Sequence, residues 1–114
     1  MLTKIEVTQA AIAAGRINNC TECPVALAID TVLDGQFMAV VDYGRISITK
    51  GARPYNASNM ISLFWTNMDG VVKQFIRNFD SSSELRRSLA TPFTFELDIP
   101  DVFLRKPDDN AKAL

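Results

Sequence analysis

Cys23-Pro24-Val25-Ala26-Leu27-Ala28-Ile29-Asp30-Thr31-Val32-Leu33 is the stretch from which the architecture follows. Proline lacks an N–H and disfavours the α conformation in the residue before it, so Pro24 suits a first helical turn and Cys23 becomes the N-cap. Val25, Ala28, Ile29, Val32 and Leu33 recur at helical spacing and predict a helix over 24–33 with one buried stripe. Ile29, flanked by small alanines, is expected where that helix comes closest to a sheet. Asp34-Gly35 stops it.

Toward the C-terminus, residues 36–43 and 45–50 are rich in β-branched side chains and read as strands joined around Tyr43-Gly44. In the second, Ile46 and Ile48 alternate with Arg45, Ser47 and Thr49, so one face is expected to be wet. Being short, it is also expected at a sheet edge, where a second copy of the chain could pair as a homodimer. Residues 51–59, broken by Pro54, read as a loop. A strand over 60–66 follows, with Ile61, Leu63 and Trp65 on one face.

Asp69 is expected to cap a helix over 70–79, with Val71, Val72, Phe75, Ile76 and Phe79 inward and Lys73, Gln74, Arg77 and Asn78 outward. Ser81-Ser82-Ser83-Glu84 matches a capping box and predicts a helical turn running through Leu89. Phe93, Phe95, Leu97 and Ile99 alternate with Thr94, Glu96 and Asp98, the clearest period-two pattern of the chain, and Pro100 ends that strand. Toward the N-terminus, residues 2–7 read as a strand with Thr3, Ile5 and Val7 on one face. Thr8 caps a short helix over 9–14 that Gly15 ends, Val7 and Ile12 form a hydrophobic staple, and 16–22 is a connector.

The order β-α-α-β-β-β-α-β points to an α+β fold: a small mixed or antiparallel sheet of four to five strands, packed by two to three helices in two layers. Residues 1–105 are read as one globular domain and 106–114 as a polar, mobile tail. With 47% apolar and 22% charged residues among 114, the chain can bury a core without disulfides or metal. A net charge of −1 gives no field to hold a phosphate backbone, so nucleic acid is disfavoured as a partner. No apolar run approaches the length of a membrane span, and the opening residues lack a signal-peptide core, so no membrane association and a cytosolic setting are expected.

The chain has two cysteines and no histidine. Ser-His and Cys-His couples are therefore absent, which makes a non-enzymatic role the favoured expectation. For Cys20 and Cys23 three readings stand. The first is structural: Cys23 a half-buried cap, Cys20 a loop residue packed on the core. The second is metal: two protomers each donating both thiolates to a shared tetrathiolate zinc site. The third is redox: a Cys23 thiolate stabilised at a helix N-terminus with Cys20 as the resolving thiol. Thioredoxin-type motifs cap the helix with the first cysteine, whereas here the second does so.

Asp30, Asp34, Asp42, Asp80, Glu96 and Asp98 are read as solvated. Glu96 and Asp98 share a strand face, but no third ligand accompanies them. Arg77, Arg86 and Arg87, with Lys73, form a modest basic cluster suited to an acidic partner or a phosphate. Trp65 is either core or an interface anchor. The glycines do not space into a phosphate-cradling loop.

Three segments together carry a resemblance. They are Val7-Thr8-Gln9 with Ile12 and Gly15; Cys20-x-x-Cys23-Pro24-Val25-Ala26-Leu27-Ala28-Ile29; and Phe75-Ile76-x-x-Phe79-Asp80 followed by Pro92-Phe93-x-Phe95-Glu96-Leu97-Asp98-Ile99-Pro100. Their order and wording resemble a family of small uncharacterised proteins of tailed bacteriophages; only 36–70 departs from it. The resemblance implies a viral origin, a life in the host cytoplasm, and a modulator that binds a host or phage protein in host takeover or anti-defence. The alternative is a small-molecule or metal-binding module centred on Cys20 and Cys23, or a thiol-redox protein.

Overall fold

Leu2–Val7 (β1) and Phe93–Asp98 (β5) pair antiparallel, Ile5 opposite Phe95 and Val7 opposite Phe93. The computed structural model describes residues 2–42, 44–50 and 61–106; the expected loop at 51–59, the start of the next strand at Met60 and the tail at 107–114 lie outside the described residues. Phe37–Asp42 (β2), Arg45–Lys50 (β3) and Ile61–Asn67 (β4) form a second antiparallel sheet in the order β2-β3-β4. Among the described residues four α-helices accompany them: Gln9–Ala14 (α1), Pro24–Asp30 (α2), Gly70–Phe79 (α3) and Glu84–Arg87 (α4). The fold is α+β with antiparallel pairing, the five strands of the described residues divided between a two-stranded and a three-stranded sheet.

The division has a local cause on β2. Backbone donors alternate between the two sides of a strand, and those of β2 that point away from β3 are already taken. Phe37 N–H donates to Asp34 O (2.9 Å), Ala39 N–H to Asp30 Oδ1 (2.8 Å) and Val41 N–H to Cys20 O (2.8 Å). No further strand can join there, so the sheet ends at β2. Asp30, expected in solvent, is therefore a structural carboxylate that ties the end of α2 to β2. The expectation that 45–50 lies at an edge is overturned as well: β3 is paired on both sides, so no second copy can add to it.

The helix α2 joins the sheets. Val25, Ala26, Ala28 and Ile29 are all buried, and Ile29 has no solvent exposure. The helix packs on both β1 and β2, and one continuous hydrophobic cluster runs from Ile5 and Val7 through α2 to Val41, Ile46 and Ile48. Its end comes earlier than expected. Val32 and Leu33 N–H groups donate to Ile29 and Asp30 carbonyls in tighter i+3 bonds, and the Thr31 hydroxyl donates to Ala28 O (2.6 Å). The chain then unwinds so that Leu33 can bridge Leu104. A 3-10 turn at Asp101–Phe103 brings Phe103 edge-on to Phe37, with ring centroids 5.0 Å apart.

In α3 the inward stripe is Val72, Phe75, Ile76 and Phe79; Val71 is exposed instead, and Asn78 is buried, accepting from Gln74 Nε2 (3.1 Å). Phe75 stacks on Phe79 and meets Phe93 at 4.8 Å, which fixes α3 against β5. The cap of α4 falls at Ser83, whose hydroxyl accepts from Arg86 N–H (3.4 Å), and its own N–H donates to Ser81 Oγ (3.1 Å).

Thr8 caps α1 as expected, accepting from Ala11 N–H (3.1 Å). Gly15 ends the helix with φ −70 and ψ 153, a conformation open to any residue, so left-handed geometry is not why glycine stands there. Steric room is the reason. A Cβ on Gly15 would sit 2.5 Å from Pro24 Cδ and Cγ and 2.8 Å from Pro24 N, because the end of α1 lies directly on the start of α2. Gly15→Ala should therefore destabilise the fold by about 1–3 kcal/mol through overpacking. Gly35→Ala, with no atom within 4 Å of the added methyl, should change stability by about 0.5 kcal/mol or less. Paired thermal melts check this; equal effects would contradict the close contact.

Candidate functional site

The loop carrying the two cysteines is organised by Asn19, a residue the sequence reading passed over inside a connector. Asn19 Oδ1 accepts from Thr21 N–H (3.1 Å), Glu22 N–H (2.9 Å) and the Thr21 hydroxyl (3.1 Å), while its carbonyl accepts Cys23 N–H (3.0 Å). Asn18 occupies the left-handed region at φ 55, a conformation asparagine tolerates, and its N–H reaches Asp80 Oδ1 at the end of α3 (3.0 Å). Asn18-Asn19 ahead of an N-cap is a recognisable turn signal.

Cys23 is the N-cap of α2, as expected: its Sγ accepts from Ala26 N–H at 3.4 Å. It is only 4% exposed. Burial pushes its thiol above the ordinary 9.0; the Ala26 and Val25 N–H groups pull it down by less, and Asp80 and Cys20 raise it further. The expected helix-terminus lowering is thus outweighed by desolvation. Cys20 is half-buried and its thiol is also raised, by burial and then by Asp42, with a backbone hydrogen bond opposing. Both cysteines are free thiols, and Cys20 contributes its carbonyl to β2. The geometry favours the structural reading: Cys23 Sγ is buried and accepts from the N–H of its own helix.

The interaction candidates separate in space. Trp65 lies on β4, at the outer side of the three-stranded sheet, 53% exposed, with Leu63 of the same strand 46% exposed. The Arg45 guanidinium lies over the indole at 4.4 Å from its centroid, a cation–π contact. Met68 N–H donates to Gly44 O (2.9 Å), so by alternation the backbone groups of Trp65 and Asn67 face away from β3. Among the described residues nothing pairs with that side of β4.

Arg77 sits on α3 and lines, with Lys73, a cavity of about 370 Å³ between α3 and the β2–β3 turn. Arg86 and Arg87 lie exposed on α4 beside the exposed Leu85 and do not line that cavity. The basic cluster expected from the sequence is therefore two separate pairs. Glu96 and Asp98 border a smaller cavity of about 120 Å³ that Asp69 also reaches. Among the described residues, no three His, Cys, Asp or Glu side chains converge closely enough to hold a metal ion, and no helix is long and apolar enough to cross a membrane.

The raised thiols set a pH dependence. Their folded values lie above the unfolded value of 9.0, so the stability they supply is fully present below pH 9 and is lost as pH rises through the folded values. Cys23→Ser retains an N-cap acceptor; it should cost about 1 kcal/mol or less and flatten the loss of stability above pH 9. Alkylation of Cys23 at neutral pH should be slower than that of a free thiol. Rapid alkylation, or a larger cost for Cys23→Ser, would give Cys23 a chemical role.

The chain matches no family model, no curated protein and no solved structure, so its function is read from the arrangement of its own residues.

Proposed function

We propose that the chain is a stoichiometric binding module for a host or phage protein, and that its partner engages the open edge of β4 around Trp65. One observation carries this reading. A tryptophan and a leucine stand exposed on the strand whose outer backbone edge is free among the described residues. Exposed tryptophan is uncommon away from interfaces, and its large rigid surface makes it a frequent binding anchor. A free strand edge adds a row of donors and acceptors that an extended segment can pair with.

The two features reinforce one another. An added strand would satisfy the Trp65 and Asn67 backbone groups while its side chains covered the indole and Leu63. The closed edge of β2 leaves β4 as the side on which the three-stranded sheet can grow. On the resemblance to small tailed-bacteriophage proteins, the setting is the host cytoplasm and the partner belongs to the host machinery, its defence, or the phage itself. A second copy of this chain pairing β4 to β4 is the competing occupant of the same edge.

Trp65 is the only tryptophan and reports on itself. A photo-crosslinking residue at Leu63, introduced into the full chain and activated in cells, should yield one discrete adduct. Trp65→Ala should abolish that adduct, weakening binding by about 30-fold or more while leaving the melting temperature nearly unchanged. Binding should shift the Trp65 emission to the blue. An adduct formed only between copies of the chain would replace the heterologous partner with a homodimer. An adduct insensitive to Trp65→Ala would overturn the reading.

A further inference from the structure

The cavity between α3 and the β2–β3 turn carries two cations that form no ion pair among the described residues. Lys73 and Arg77 stand four residues apart, on one face of α3. Among the described residues neither side chain has an ion-pair or hydrogen-bond partner. Like charges at this spacing repel one another and cost helix stability. Position in the last turn of α3 accounts for Arg77, where a cation complements the helix dipole, but not for Lys73.

The remaining walls are of mixed chemistry. Met68 and Ile76 supply an apolar surface, and Asp42 supplies a carboxylate at the end of β2. The turn at Gly44 holds these walls in register. Gly44 has φ +78, a conformation glycine adopts without strain, and its carbonyl takes the Met68 N–H, which fixes the approach to α3. The Lys73 stem passes across this glycine: an added Cβ would lie 3.3 Å from Lys73 Cε and 3.7 Å from Nζ. The absence of a side chain at position 44 thus lets the ammonium reach the cavity.

We propose that this cavity binds a small phosphorylated organic molecule, a nucleoside or sugar phosphate, with its phosphate between Lys73 and Arg77. The guanidinium presents a planar fork that matches phosphate oxygens, and the ammonium adds a compact point charge. The body of the ligand lies on Met68 and Ile76, and a hydroxyl of that body donates to Asp42. A volume of about 370 Å³ accommodates a molecule of this class and falls within the usual range for small-molecule sites. Asp42 gives selectivity, because it repels a second phosphate placed at the same end. The site is independent of the β4 edge and stands or falls separately.

Calorimetric titration of the full chain with adenosine 5′-monophosphate, ribose 5-phosphate, inorganic phosphate and adenosine tests the assignment. At least one of the two phosphate esters should bind more tightly than inorganic phosphate, adenosine should not bind, and affinity should fall as salt rises. Lys73→Gln and Arg77→Gln should each weaken the bound ester by about tenfold or more. Both positions are exposed, so these variants should fold normally, and Trp65→Ala should leave the affinity unchanged. Gly44→Ala should also weaken binding, because the Lys73 stem must move. Three results overturn the proposal: no binding of either ester, binding unchanged in the Lys73→Gln Arg77→Gln double variant, or inorganic phosphate binding as tightly as the esters.

Discussion

The burial of α2 between two separate sheets is the constraint on which the rest of the molecule depends. The two-stranded ribbon is marginal in water by itself and needs a helix packed against it. Ile5 and Val7 from one sheet, and Ala39, Val41, Ile46 and Ile48 from the other, share a common core with Val25, Ala26, Ala28 and Ile29 of the helix that packs on both β1 and β2. Small alanines on the helix let both sheets approach, and Ile29 fills the space that they leave. The start of the helix is equally constrained, by Pro24 lying on Gly15 and by Cys23 turned inward as its cap.

That arrangement also decides which strand edge is left open among the described residues. The segments flanking α2 close the outer side of β2 with the Cys20 and Asp34 carbonyls and the Asp30 carboxylate. Closing one side leaves the other, β4, to present Trp65 and Leu63. The Gly44 turn that links β2 to β3 has a second consequence, since it places Asp42 opposite Lys73 and Arg77 across a cavity. The cysteine pair lies at the start of α2, apart from both the β4 edge and the Lys73–Arg77 cavity.

Local signals in the sequence predicted the elements well where one interaction dominated. The alternation of Phe93, Phe95, Leu97 and Ile99 gave β5, the Thr8 cap gave α1, and Cys23-Pro24 gave the start of α2. Errors arose where a long-range contact decided the outcome. The end of α2 depends on Leu33 bridging Leu104, some seventy residues away. In α3, Val71 is exposed and Asn78 buried, and the Phe93 ring, outside the helix, meets Phe75 on its buried face. A strand's position within its sheet is not written in its own residues, so β3 read as an edge. Of the alternatives for Cys23, the lowered thiolate of the redox reading is outweighed by burial, which raises the thiol. Trp65 and Arg77 were identifiable as candidates, but the companions of Arg77 in the cavity, Asp42 and Gly44, come from a turn that no motif marks.

If α2 is the joint between the sheets, loosening it must loosen both. Native-state amide exchange on Ile29→Val, a variant mild enough to keep the fold, measures this directly. Protection of the slowest amides in β1–β5 and in β2–β3 should fall together, each by about 0.5–1.5 kcal/mol. A loss confined to one sheet, with the other unchanged, would show that the two sheets stand independently and would contradict the account.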